Sequence, residues 1–309
     1  MSYYYRDLSA IYGFNSKSNI LRLEEGNIDG FPSSRREIRG KTSQAVRVWE
    51  ESDLPKVANA GFSILEDDRL RKGTIICNYT NKGGCGKTMT AQQLAKTYAT
   101  CAGKKVLLID TDPQADLSTM LNFDVSVAAE TLDDIRGKTA IGLLDVHRDQ
   151  SIDPNNLIEM SPELPENLGI IPASPELSLL ENELFGQAFH RERFLLERVL
   201  EPILATNIWD IVIIDCPPSQ SILTQSCLYA TAVLGGVNLI PLETSITMYR
   251  SMPIWAETTR RFEEQTKLKL NQLHLPTKYS SSATLNREIL MDYFSQFPQE
   301  AIISIPMRQ

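Results

Sequence analysis

From Thr74 to Ala91 the chain reads Thr-Ile-Ile-Cys-Asn-Tyr-Thr-Asn-Lys-Gly-Gly-Cys-Gly-Lys-Thr-Met-Thr-Ala. An apolar strand runs straight into a glycine-rich turn and then into a helix-forming stretch. Few sequences constrain a fold more. Gly83, Gly84 and Gly86 let backbone N–H groups converge on an anion without interference from a Cβ atom. The helix that follows adds its free N-terminal amides and the positive end of its dipole. Lys87 can then reach the β- and γ-phosphates of a nucleotide, and the Thr88 hydroxyl can ligate Mg²⁺. The common form G-x-x-x-x-G-K-[ST] fails at its first position, which is Asn81, and Lys82 opens the glycine run instead.

Downstream, short β-rich runs alternate with helix-length segments. The predicted strands are Thr74–Tyr79, Lys105–Asp110, Leu168–Pro172, Ile211–Asp215, Val237–Leu242, Lys267–Leu273 and Ala301–Ile305. Several are almost continuously apolar, as strands buried on both faces are. Helices are predicted at Lys87–Cys101, Pro175–Phe185, Arg191–Leu204, Gln220–Tyr229, Thr247–Glu264 and Thr284–Phe294. This alternation implies right-handed crossovers and a mainly parallel sheet with helices on both faces, an α/β fold.

Two further segments carry carboxylates at strand ends, where parallel α/β sheets bind ligands. Asp110 and Asp112 end the run beginning at Lys105, and a carboxylate there can orient water for in-line attack on a phosphate. Ile211–Ile214 ends in Asp215, placed to support a Mg²⁺ shell, and Pro217-Pro218 forces the chain to turn at the site.

The segments Lys82–Thr88, Asp110–Ser118 and Ile211–Ser219 resemble, in order and approximate spacing, the ParA/MinD class of deviant Walker ATPases, closest to ParA partition proteins. The resemblance covers about residues 73–309 and implies a P-loop NTPase fold, ATP and Mg²⁺ as ligands, and slow ATP hydrolysis. It also implies nucleotide contacts from Lys82, Gly83, Gly84, Cys85, Gly86, Lys87, Thr88 and Met89, and metal contacts from Thr88 and Asp215. Asp112 would place the attacking water. Lys82 would reach the partner's nucleotide in a homodimer formed on ATP binding. Family members usually run on through further C-terminal helices past the position of Gln309, so adenine contacts are not assigned.

Residues 1–72 are predicted to form a separate, mainly helical domain, with the boundary at the charged run Glu66–Lys72. They hold 12 Lys/Arg and 11 Asp/Glu, against a whole-chain charge of −8, and Ser33–Arg47 concentrates five basic residues. A short helix over Leu8–Phe14, a second from Ser16, a basic turn over Arg35–Lys41, a strand over Ala45–Trp49 and a helix opening at Ser52 resemble a MerR-like winged helix-turn-helix. The second helix would then enter the major groove and the wing would grip phosphates. Arg22, Arg35, Arg36, Arg39 and Lys41 are the candidate DNA contacts, and a dimerisation cap is the competing reading.

Five cysteines lack metal-ligand spacing and suit a reducing compartment. No run is long and apolar enough to span a membrane, and the N-terminus lacks a signal-peptide pattern. A cytoplasmic, nucleoid-associated protein is expected, working with DNA, nonspecific and operator, and a ParB-like partner. A nucleotide-tuned repressor and a MinD-like positioning ATPase are the alternatives.

Overall fold

The computed structural model describes residues 2–14, 20, 22–24, 31–38, 45–62, 72–123, 153–160, 164–173, 177–178, 191–298 and 301–303. The charged run around Glu66, Arg39, Lys41 and most of the helix expected over Pro175–Phe185 lie outside them.

The N-terminal residues build β1 (Ser2–Tyr3), α1 (Tyr5–Tyr12), β2 (Arg35–Ile38), β3 (Ala45–Glu50) and α2 (Leu54–Val57). The strands form a three-stranded antiparallel sheet in the order β1-β3-β2. The basic segment opening at Arg35 is therefore a strand up to Ile38 where a turn was expected, because its backbone pairs residue for residue with β3. Of the second expected helix, Ile20 and Arg22–Glu24 are described and helical, so a helix-turn-helix is not established. Leu8, Ile20, Trp49 and Leu54 are buried together, with Cys101 of the next helix packed against them.

Next come β4 (Thr74–Asn78), α3 (Lys87–Cys101), β5 (Val106–Asp110), α4 (Asp116–Met120), β6 (Leu168–Ile171) and α5 (Glu201–Ala205). The chain continues through β7 (Ile211–Asp215), α6 (Ile222–Val233), β8 (Val237–Glu243), α7 (Ile246–Thr266), β9 (Asn271–Thr277) and α8 (Thr284–Gln296). Six strands form one parallel sheet in the order β6-β5-β7-β4-β8-β9. The last strand lies further along than Lys267–Leu273, because α7 continues through Thr266 and stops at Lys267 in a left-handed conformation. Beyond α8, Ile302 forms an isolated bridge to His274, and the end of the strand expected over Ala301–Ile305 lies outside the described residues.

Alternate residues of each central strand feed two cores. Ile75, Leu107, Ile109, Val212 and Ile214 face one layer, and Ile76, Val106, Leu108, Ile211 and Ile213 face the other. On the second face Ala91, Ala95 and Ala99 form a fully buried i, i+4 stripe that lets α3 lie close to the sheet. That close approach fixes the height of the glycine loop above the strand ends.

Candidate nucleotide-binding site

Three strands end level with one another. Asn78 pairs in register with Asp215, and Asp110 pairs with Asp215 on the other side. The sheet thus sets Asn78, Asp215 and Asp110 side by side beneath the loop.

The loop takes its shape from Gly84 and Gly86, whose φ values of 72° and 93° lie in the left-handed region. A Cβ built on Gly83, Gly84 or Gly86 would meet no atom within 4 Å, so the side-chain direction at each glycine opens onto free space. Gly86 is also the N-cap of α3 and carries no side-chain cap, leaving the first amides of that helix to an anion.

Lys87 is buried, and its Nζ donates to the Lys82 carbonyl at 2.9 Å. The Asn78 side-chain amide donates to the Lys87 carbonyl and, at 3.2 Å, to Asp215 Oδ1. Thr277 Oγ1 donates to the Cys85 carbonyl at 2.7 Å, tying the loop to β9. Met89 is exposed on the first turn of α3.

Asp215 is fully buried, and burial, followed by the neighbouring Asp110 carboxylate, raises its pKa well above normal, opposed by a hydrogen bond from Thr88. The Thr88 hydroxyl and the buried Asp215 carboxylate are oxygen donors of the kind that Mg²⁺ shared with phosphate takes. Asp110, also fully buried, accepts from Ser118 N at 3.0 Å, Ser118 Oγ at 2.7 Å and Asp112 N at 3.1 Å. Desolvation nevertheless pushes its pKa up to about 7. Asp112 stands nearer the surface, accepts from Gln114 N at 2.9 Å, and is raised by burial against the pull of Lys87. Thr80 Oγ1, just after β4, is buried without a hydrogen-bond partner among the described residues, while the Tyr79 ring packs on Trp255 in the core.

Lys82 does not extend outward. Its ammonium donates to Thr247 Oγ1 at 2.9 Å, Glu243 Oε2 at 3.3 Å and Ser245 Oγ at 3.4 Å. Asn78, Ser118, Thr277, Glu243, Ser245 and Thr247 were not singled out from sequence. Asn78 carried a local signal, a polar residue closing an apolar strand, and Ser118, Glu243 and Ser245 fall in the ParA-like segments Asp110–Ser118 and Asn238–Ser245. His274 is buried, its Nδ1 2.8 Å from the Ala301 carbonyl and its ring stacked on Phe297, away from the loop.

Away from this site, Arg22, Arg35 and Arg36 are exposed. Arg35 pairs with Glu50, and Arg47 pairs with Glu24. All five cysteines are free thiols, and among the described residues no helix is long and apolar enough to cross a membrane.

A parallel sheet carrying a glycine loop, a buried lysine, a threonine–aspartate pair and a second carboxylate defines a P-loop nucleotide-binding protein of the deviant Walker type. Residues 73–272 match the model of an AAA-domain family. The chromosome partitioning protein ParA of Caulobacter vibrioides is 32% identical over 217 residues, covering 70% of this chain and 73% of that protein. The chain belongs to this ParA family. Cobyrinic acid a,c-diamide synthase from Mycobacterium smegmatis, solved with an ATP analogue and magnesium, superposes with a TM-score of 0.60 at 25% identity, covering 76% of this chain and 86% of that one. A plasmid partition protein from Borrelia burgdorferi shares the fold, with a TM-score of 0.56 at 19% identity over 75% of this chain and 88% of that one.

Proposed function

We propose that the chain is an ATP-driven dimerising switch that partitions DNA, chromosome or plasmid, together with a ParB-like DNA-binding partner. The observation that carries this reading is the level ending of β5, β7 and β4 beneath a glycine loop that leads into the uncapped start of α3 at Gly86. The amides of Gly83 to Thr88 cradle the phosphates, and Lys87 turns its ammonium from the Lys82 carbonyl to their charge. Thr88 and Asp215 would hold Mg²⁺, and Asp112, the more accessible carboxylate, would orient a water. Bound ATP with Mg²⁺ supplies a phosphoanhydride whose cleavage resets the switch. Asp110 acts as a support, since all its bonds run to Ser118 and the Asp112 backbone. Lys82 reaches the nucleotide of a second copy. Residues 1–72 are the DNA-binding domain, and 73–309 the ATPase domain.

The N-terminal sheet supports DNA contact in a specific way. Arg36 and Arg47 stand opposite one another in register across β2 and β3, and like charges so placed repel. Glu24 offsets Arg47, and a phosphate at Arg36 would relieve the rest.

Isothermal titration of Mg²⁺-ATP into Lys87→Ala tests the site. Removing a buried charge-assisted donor should weaken binding at least tenfold, by about 1.5–3 kcal/mol. Unchanged affinity would refute the assignment.

A further inference from the structure

The ammonium of Lys82 has three partners, and all belong to one corner of its own chain. Glu243 ends β8, Ser245 caps α7 by accepting from Met248 N at 3.3 Å, and Thr247 lies in the first turn of that helix. The corner is itself anchored. Tyr293 Oη donates to the Glu243 carbonyl at 2.9 Å, and the Asn286 side chain donates to the Thr244 carbonyl. Lys278 Nζ lies 3.9 Å from the other oxygen of Glu243. The backbone on either side of this carboxylate is thus held by α8, Lys278 lies beside its other oxygen, and Lys82 docks onto a prepared acceptor.

We propose that Glu243, assisted by Thr247, is a positioning residue for Lys82: it holds the ammonium in cis and so sets the threshold at which two copies associate on ATP. This rests on the reading of Lys82 as the group that reaches a second copy's nucleotide. To do so, Lys82 must first leave Glu243, Ser245 and Thr247. Its exchange of a carboxylate for a polyphosphate is favourable, but the intramolecular pair reduces the gain. Both partners are about one-quarter exposed, so the pair is only partly screened. The corner also joins the start of the loop to the start of α7, so releasing Lys82 uncouples the loop from that helix.

The test is the monomer–dimer equilibrium of the full chain, followed by light scattering or sedimentation with Mg²⁺ and a non-hydrolysable ATP analogue. Glu243→Gln, which keeps the shape and loses the charge, should lower the dimer dissociation constant about two- to fivefold. Thr247→Val, which removes one acceptor at constant volume, should shift it the same way by less. Glu243→Asp, retaining the charge, should fall between wild type and Glu243→Gln. Recovery towards wild type in Glu243→Asp is a dependence on charge that a merely structural Glu243 would not produce. If Lys82→Ala abolishes dimerisation while Glu243→Gln and Thr247→Val leave it unchanged or weaken it, the positioning role is overturned and the switch stands. If Lys82→Ala dimerises like wild type, the switch reading itself fails. Should Glu243→Gln not fold, Thr247→Val decides alone.

Discussion

Asp110 shows how far a single residue's chemistry depends on its neighbours. In the unfolded chain it loses its proton near pH 4, whereas in the fold it keeps that proton to about pH 7 because burial disfavours the charge. Between those values the folded state binds more protons than the unfolded one. The stability from this group is therefore fully present below about pH 4 and is lost as pH rises towards 7. Asp215, shifted in the same direction, adds to the trend. Asp110→Asn should flatten the decline in the nucleotide-free protein, measured as the denaturant midpoint at steps from pH 5 to 8. A variant with the wild-type slope would show that Asp110 is ionised in the fold. The same comparison separates it from Asp112, which a spacing of two residues in the sequence could not. Strand register buries the first, and the turn after it brings the second towards the surface.

Among the elements, β4 and its two neighbours bear the site, and a glycine protects their spacing. A Cβ on Gly236, just before β8, would lie 2.6 Å from the Ile75 carbonyl oxygen and 2.8 Å from Ile75 Cβ. The first is a backbone atom of the strand that leads into the loop, so it cannot swing away. Gly236→Ala should therefore cost about 1–3 kcal/mol, read as a lower urea midpoint at an unchanged m-value. A midpoint equal to wild type would mean that β8 can move away from β4 freely. Helix α3 was legible to its last residue, since a glycine start and an alanine stripe mark it without tertiary help. β9 was misplaced because Lys267–Leu270 carries apolar residues of strand type, while the true strand includes Pro276 and exists only through its pairing with β8.

For the molecule as a whole, the N-terminal sheet and the ATPase sheet meet at the end of α3. The N-terminal core packs on Cys101, and a Cβ on Gly103 would lie 2.4 Å from Asn59 Oδ1, so the N-terminal residues press on the far end of α3. A helix of 15 residues spans about 22 Å, which separates that contact from the loop while joining the two rigidly. If the N-terminal residues grip duplex DNA, affinity should fall with salt, each phosphate contact adding about −0.9 to the slope of log K against log salt. Arg36→Gln in the full chain should flatten that slope by about one unit. Arg35→Gln should flatten it less, because Arg35 already pairs with Glu50. A mobility-shift titration across salt checks both, and an unaltered slope for Arg36→Gln would remove β2 from the DNA interface.

The sequence alone determined the loop, its helix, the two carboxylate-bearing strands and the class of ligand. These depend on local chemistry: glycines where φ must be positive, a lysine and a threonine at fixed spacing, apolar runs too regular for anything but buried strands. Tertiary structure decided what depends on distance through space. Strand order set Asp110, Asp215 and Asn78 level, burial separated the protonation of Asp110 from that of a surface carboxylate, and pairing turned the basic segment at Arg35 into a strand. It also brought Lys82 to Glu243 across 161 positions of sequence, a contact between two side chains whose meeting no local pattern encodes.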